Sequence, residues 1–264
     1  MTPLLSVRGL NKNFGSVIAA RDINVAVAEG EVVGIIGANG AGKTTFVNMV
    51  TGYLRPTSGQ IEFLGRDITG QRPREVIAAG ISRSFQIPQV FSTASVFDNL
   101  LIACGIADGA RLPLWRKLRQ RAFTDAAESM IARFGMVDWR DQPAQLLPQG
   151  VRKLLDIAMA LVRHPRLLLL DEPTSGISVE EKFSIMDVIM EALRRERVTV
   201  MFIEHDMDIV GRYAGRVLAF ADGTLLAEGD AETVLNDPQV QRYVTGERLG
   251  QRTAREPPAS EIRA

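Results

Sequence analysis

The run GANGAGKTT at 37–45 constrains this chain more than any other feature. It satisfies G-x-x-x-x-G-K-[ST], with Gly37, Gly42, Lys43 and Thr44 in the fixed places. Glycine reaches backbone conformations that a Cβ forbids, so such a loop can turn its N–H groups inward around phosphate oxygens. The lysine adds a point charge at the outer phosphates, and the adjoining hydroxyl is a ligand for Mg²⁺. The candidate ligand contacts are Gly37, Asn39, Gly40, Ala41, Gly42, Lys43, Thr44 and Thr45. The plainer alternative is a glycine-rich turn that merely caps a helix. Context argues against it. Residues 31–36, EVVGII, read as a short apolar strand, and KTTFVNMV at 43–50 reads as a helix. Strand, glycine loop and helix in that order are what the phosphate-loop reading requires.

A chain of 264 residues can bury a substantial core as one domain with a subdomain. Its 31 basic and 31 acidic residues give no net charge, which disfavours nucleic acid as a partner. The single cysteine, Cys104, excludes an internal disulfide and fits a reducing compartment. No signal peptide is visible in MTPLLSVRGL, and no apolar run approaches the roughly 20 residues of a membrane span. The chain is expected to be soluble alone, with any membrane role carried by a partner or a surface contact.

Along the chain, Ile23, Val25 and Val27 alternate with smaller or polar neighbours, as in a half-buried strand. RPTSG at 55–59 is a turn before the strand QIEFLG. From 88 to 162 the pattern turns helical, with turns expected at Cys104-Gly105, Asp108-Gly109 and Asp141-Gln142-Pro143. Residues 167–170 and 198–203 read as buried strands. Residues 183–195 read as a helix with Phe183, Met186, Ile189, Met190 and Leu193 on one stripe. Residues 216–229 read as a hairpin turning at Asp222-Gly223.

RLLLLDEP at 166–173 delivers two carboxylates at the end of a buried strand, where open α/β sheets bind ligands. Asp171 would hold Mg²⁺, directly or through water; Glu172 would orient the water attacking a γ-phosphate and accept its proton. His205 follows the strand 198–203 and can hydrogen-bond the γ-phosphate and steady that water. His164, before Pro165, reads as a surface or capping residue. Gln86 offers a neutral amide to Mg²⁺ or to the attacking water. Phe14, in an early loop, offers a flat ring for stacking on adenine.

In this order, aromatic loop, phosphate loop, Gln86, LLLLDEP and IEHD, the chain resembles the ATP-binding cassette subunits of membrane transporters, over about residues 4–246. GYLRPTSGQIEF, SRSFQIPQVFSTASVFDNL and LAEGDAETVLNDPQV are similar to the branched-chain amino acid group, which includes importers of urea and amides. The resemblance implies an α/β fold: a RecA-like phosphate-loop NTPase core with an N-terminal antiparallel β subdomain and an inserted α-helical subdomain. The ATPase domain would span 4–247, its core about 4–87 and 163–247, its helical insert about 88–162, with a polar tail at 248–264. It implies ATP and Mg²⁺ as cofactors, with Thr44, Gln86 and Asp171 around the metal. A second ATPase subunit would pair head to tail with this one, as a heterodimer or alternatively a homodimer. Two membrane permease subunits would anchor it at the cytoplasmic face of the inner membrane, and a solute-binding protein would act indirectly.

The chain also departs from the family. The segment that matches the usual LSGGQ signature is Leu147-Pro148-Gln149-Gly150-Val151. In the family this segment meets the γ-phosphate held by the opposite subunit, and Pro148 supplies neither hydroxyl nor N–H. The trans contact through Pro148, Gln149 and Gly150 is therefore expected to be weakened, not lost, because helix-start amides can still face an anion. Ser178 stands where an aspartate is usual. The basic segment 111–121 reads as a solvated or partner-facing helix, with contact to anionic headgroups as the alternative. A small-molecule kinase and a non-transport cassette ATPase are the competing functions. A GTPase is disfavoured because Asn11-Lys12-Asn13-Phe14 lacks the aspartate of N-K-x-D and precedes the loop.

Overall fold

The computed structural model describes residues 3–84, 88–108 and 120–244. Strands β1 (Leu5–Phe14) and β2 (Val17–Val27) form an antiparallel hairpin, and β3 (Val32–Ile36) leads through the glycine loop into helix α1 (Lys43–Val50). Strands β4 (Ser58–Phe63) and β5 (Arg66–Asp67) complete a four-stranded antiparallel sheet of order β2-β1-β4-β5. Helix α2 (Pro73–Ala79) and strand β6 (Ile81–Ser84) follow. The helical stretch then supplies α3 (Val96–Ala107), α4 (Arg121–Arg133) and α5 (Gln149–Leu161).

The chain next alternates strands with helices: β7 (Leu167–Asp171), α6 (Val179–Arg195), β8 (Thr199–Ile203) and α7 (Met207–Tyr213). It ends in the hairpin β9 (Arg216–Ala221) and β10 (Thr224–Asp230), then α8 (Ala231–Asn236) and α9 (Pro238–Val244). The second sheet has the order β10-β9-β3-β8-β7-β6, parallel except for the edge strand β10.

β7 and β8 are buried at every position because both faces of their sheet are covered, the usual condition of a parallel sheet. The period-two alternation of strand side chains divides them between two cores. Leu168, Leu170, Val200 and Phe202 pack with the helices on one face. Leu167, Leu169, Met201 and Ile203 pack with α1 and the antiparallel sheet on the other. Phe46 of α1 meets Phe220 of β9 with ring centroids 5.4 Å apart, fastening the helix after the glycine loop to the sheet. Phe46→Leu is expected to cost about 1.5 kcal/mol, from the lost ring pair and imperfect refilling. The denaturant midpoint should fall while its slope stays constant.

Three local expectations change. Cys104-Gly105 is not a turn but the interior of α3, which ends at its cap, Asp108. Glycine costs about 1 kcal/mol in a helix interior, and burial of Leu100, Leu101, Ala103 and Cys104 outweighs it. Helix α6 begins four residues before 183, at Val179, because its first turn is polar and carries no apolar stripe. Phe14 is the last residue of β1, paired with Val17, and not a loop residue.

Candidate active site

Strands β3, β8 and β7 are neighbours, and their C-terminal ends lie level: Ile35 pairs with Ile203, and Ile203 with Asp171. The three loops that follow therefore open at one sheet edge, the ligand-binding edge of an open α/β sheet. Gly37 has φ 146°, and a Cβ there would stand 2.4 Å from Phe220 O. Gly42 has φ 101°, and a Cβ would meet Ala19 O at 3.0 Å. Only glycine fits either place. The β9–β10 turn grips the loop from one side, with Gly223 N donating to Ala41 O at 3.0 Å. The same turn is tied to β2, since Arg21 N donates to Gly223 O at 2.8 Å.

Asn39, Gly40, Ala41, Gly42, Lys43, Thr44, Thr45, Glu172 and His205 line one cleft of about 250 Å³, with Val17, Ile18, Ala19 and Ile203 beside them. Lys43 is buried, and its Nζ donates to Gly37 O at 2.6 Å and Ala38 O at 3.0 Å. Burial pushes its ammonium below the usual lysine range, opposed by the charges of Glu172 and Asp171. Helix α1 starts at this lysine with no acidic residue in its first turn, so its positive end and free amides face the cleft.

Asp171 closes β7 in a buried position; Arg83 Nη2 lies 2.5 Å from its Oδ2, and Arg83 Nη1 donates to Asn48 Oδ1 at 2.6 Å. Lys153 of α5 is buried, with Nζ donating to Asp171 O at 3.3 Å, and burial lowers its pKa. Glu172 adopts φ 47°, rare for a non-glycine residue. Its N–H still donates to Ile203 O at 3.0 Å. The carboxylate is thereby turned toward β8, and His205 Nε2 stands 3.1 Å from Glu172 Oε1. Strained backbone of this kind is concentrated at functional sites. The hydroxyl of Thr44, in the cleft lining, and the carboxylate of Asp171, outside that lining and paired with Arg83, are both hard oxygen donors of the kind Mg²⁺ takes alongside phosphate and water.

Other candidates lie apart or outside. Gln86 lies outside the described residues, as do 111–119 and the tail from 245. Phe14 is 52% exposed with Lys12 Nζ 4.9 Å from its ring centroid; Val17 and Ile18, not Phe14, form the cleft's lip. Pro148, Gln149 and Gly150 do not line this cleft. Pro148 caps α5, the first intrahelical bond runs from Arg152 N to Pro148 O at 3.0 Å, and the amides between stand at the open helix end. Gln149 Nε2 donates to Ser175 O at 3.3 Å. His164 is exposed and faces Glu196, its Nδ1 3.3 Å from Oε2.

Sequence reading missed Arg83, Lys153, Thr174 and Glu204. Arg83 and Lys153 look like surface cations, and only the packed fold aims them at Asp171. Glu204 carried a signal: like Asp171, it follows a run of four apolar residues, here Val200 to Ile203.

Residues 20–175 match the family model described as ABC transporter. With this cleft on this fold, the chain belongs to the ABC transporter family as an ATP-hydrolysing cassette. Among curated relatives it is 34% identical to the high-affinity branched-chain amino acid transport ATP-binding protein LivG of Salmonella typhimurium, over 93% of this chain and 98% of that one. It is 32% identical to the protein BraF of the same description from Pseudomonas aeruginosa, over 93% and 98%. Among solved structures it is similar to MJ1267, an ATP-binding cassette of an ABC transporter (TM-score 0.81, 29% identity, 92% and 99% covered). It is also similar to cbiO1 from Clostridium perfringens, part of the transporter complex cbiONQ (TM-score 0.79, 30% identity, 94% and 96% covered). No helix among the described residues is long and apolar enough to cross a membrane.

Proposed function

We propose that this chain energises import of branched-chain amino acids, or of a related small polar solute, from the cytoplasmic face of the membrane. LivG and BraF, similar over nearly their whole length, support the solute class. The observation that carries the chemistry is the 3.1 Å approach of His205 Nε2 to Glu172 Oε1 beside the glycine loop. ATP would lie with its phosphates against the amides of 37–45 and Lys43, with Phe14 or the lip residues beside the base. Thr44 and Asp171, with Gln86, would hold Mg²⁺, which when bound neutralises charge on the phosphates. Glu172 would take the proton of the attacking water, and His205 would hold that carboxylate and the γ-phosphate in line.

In this reading a second cassette presents its signature segment to this ATP, while Pro148, Gln149 and Gly150 face the partner's nucleotide. The helical insert and the Gln86 segment would meet two permease subunits. ATP draws the cassettes together and hydrolysis releases them. The test is co-purification with the permease subunits and reconstitution in vesicles. With its binding protein present, leucine, isoleucine or valine should raise ATP hydrolysis several-fold. A rate indifferent to all three, and to urea and amides, would remove the solute assignment. Transfer of phosphate to a metabolite instead of water would replace the transport reading with a kinase.

A further inference from the structure

Glu204 is a carboxylate outside the expected machinery, yet it is 3% exposed at the end of β8. Its Oε1 accepts from Thr174 N at 2.9 Å and from Thr174 Oγ1 at 2.7 Å. Its Oε2 accepts from the amide of His205 at 3.2 Å, and its own amide donates to Ile35 O at 3.3 Å. The side chain thus joins the turn after β7 to the start of the His205 loop, and the backbone amide adds the strand that feeds the glycine loop.

The contacts close a ring. Glu172 O accepts from Ser175 N at 3.1 Å, which fixes the turn that carries Thr174. Thr174 is held by Glu204, Glu204 by the amide of His205, and the His205 ring returns to Glu172. That ring ties together the two backbone segments that carry the imidazole and the carboxylate. Burying a carboxylate is unfavourable, and an apolar residue would pack here at less cost. Burial indeed pushes the Glu204 carboxyl up, against the hydrogen bonds from Thr174 and His205. The group is accounted for by the three donors it organises.

We propose that Glu204 is a positioning residue for ATP hydrolysis, locking Thr174 to the His205 loop and thereby setting the Glu172–His205 geometry. This rests on the ATPase reading above. Glutamine at 204 keeps the size but offers one acceptor oxygen; with that oxygen toward Thr174, its NH₂ opposes the His205 N–H. A misplacement of about 1 Å in a reacting group can cost up to about a hundredfold.

The full-length chain with its partner cassette is assayed for kcat, for KM, for affinity toward a fluorescent ATP analogue and for Tm. Glu204→Gln should lower kcat about tenfold or more. KM and analogue affinity should stay within about twofold, and Tm should hold or rise as a buried charge leaves. Thr174→Val should lower kcat about threefold and Thr174→Ser should restore it, a pair that remains informative if the glutamine variant folds poorly. Glu204→Gln with Thr174→Val should be no worse than Glu204→Gln alone, because both break one ring. An unchanged kcat in Glu204→Gln, a loss that tracks Tm or analogue affinity, or failure of serine to rescue would overturn the proposal. Wild type and Glu172→Gln run alongside: if wild type does not hydrolyse ATP, or Glu172→Gln leaves turnover intact, the ATPase reading itself has failed.

Discussion

Glu172→Gln is expected to lower ATP hydrolysis about a thousandfold while ATP still binds. A positioned general base contributes about 10²–10⁴ in rate, and the middle of that range corresponds to roughly 4 kcal/mol of barrier. The amide is the same size and can keep a bond to His205 Nε2, so the left-handed backbone at 172 and its amide bond to Ile203 O should survive. It cannot accept the proton of water. Binding should persist because the phosphates would rest on the glycine loop, Lys43 and the start of α1, none of which the change touches. The cassette pair should then linger in its closed, ATP-bound form. Phosphate release and equilibrium ATP binding measured on one preparation separate the two effects. A rate within twofold of wild type would mean that another group takes the proton.

Lys43→Ala should remove tight binding itself. The ammonium lies between Gly37 O and Ala38 O at the floor of the cleft, within reach of the charges of Asp171 and Glu172. Without it the carboxylates of Asp171 and Glu172 stand near a polyanionic phosphate chain with one positive charge fewer, although Asp171 keeps the guanidinium of Arg83. A charge-assisted hydrogen bond of this kind contributes about 1.5–3 kcal/mol, and the lost neutralisation adds to it. Affinity for MgATP should fall by about two orders of magnitude, with turnover lost. Lys43→Arg should not rescue, because a planar guanidinium cannot occupy the point between two carbonyls that the compact ammonium fills. Titration calorimetry with MgATP reads both variants; wild-type affinity in either would show that the loop amides alone hold the phosphates.

Much of the frame was legible because it rests on short-range signals. The glycine loop declares its strand and helix, and α1 spans the residues expected of it. The Asp222-Gly223 hairpin, the short apolar runs in β7 and β8, and the helical stretch between β6 and β7 follow from turn chemistry and periodicity. What escaped depends on packing. Gly105 reads as a break until the burial around it is known. The early start of α6 had a local cue, Ser178 three residues before Glu181, whose side chains meet at 3.1 Å. Serine, two residues and glutamate is a helix-start signature that apolar periodicity alone overlooks. Lys153 sits on an amphipathic helix whose polar face normally reads as solvated. Only the docking of α5 on β7 directs its ammonium inward. The ring through Glu204 and Thr174 joins residues thirty positions apart in sequence.

The glycine loop is wedged between two walls that belong to different sheets: Ala19 on the antiparallel side, Phe220 and Gly223 on the other. The seat is thus fixed from both flanks by residues outside the helical stretch between β6 and β7. At the opposite rim the turn after Asp171 is tied to the His205 loop through Thr174 and Glu204, and to the foot of α5 through Ser175 and Gln149. A side chain at 37 or 42 would collide with those flanking walls and displace the loop at once.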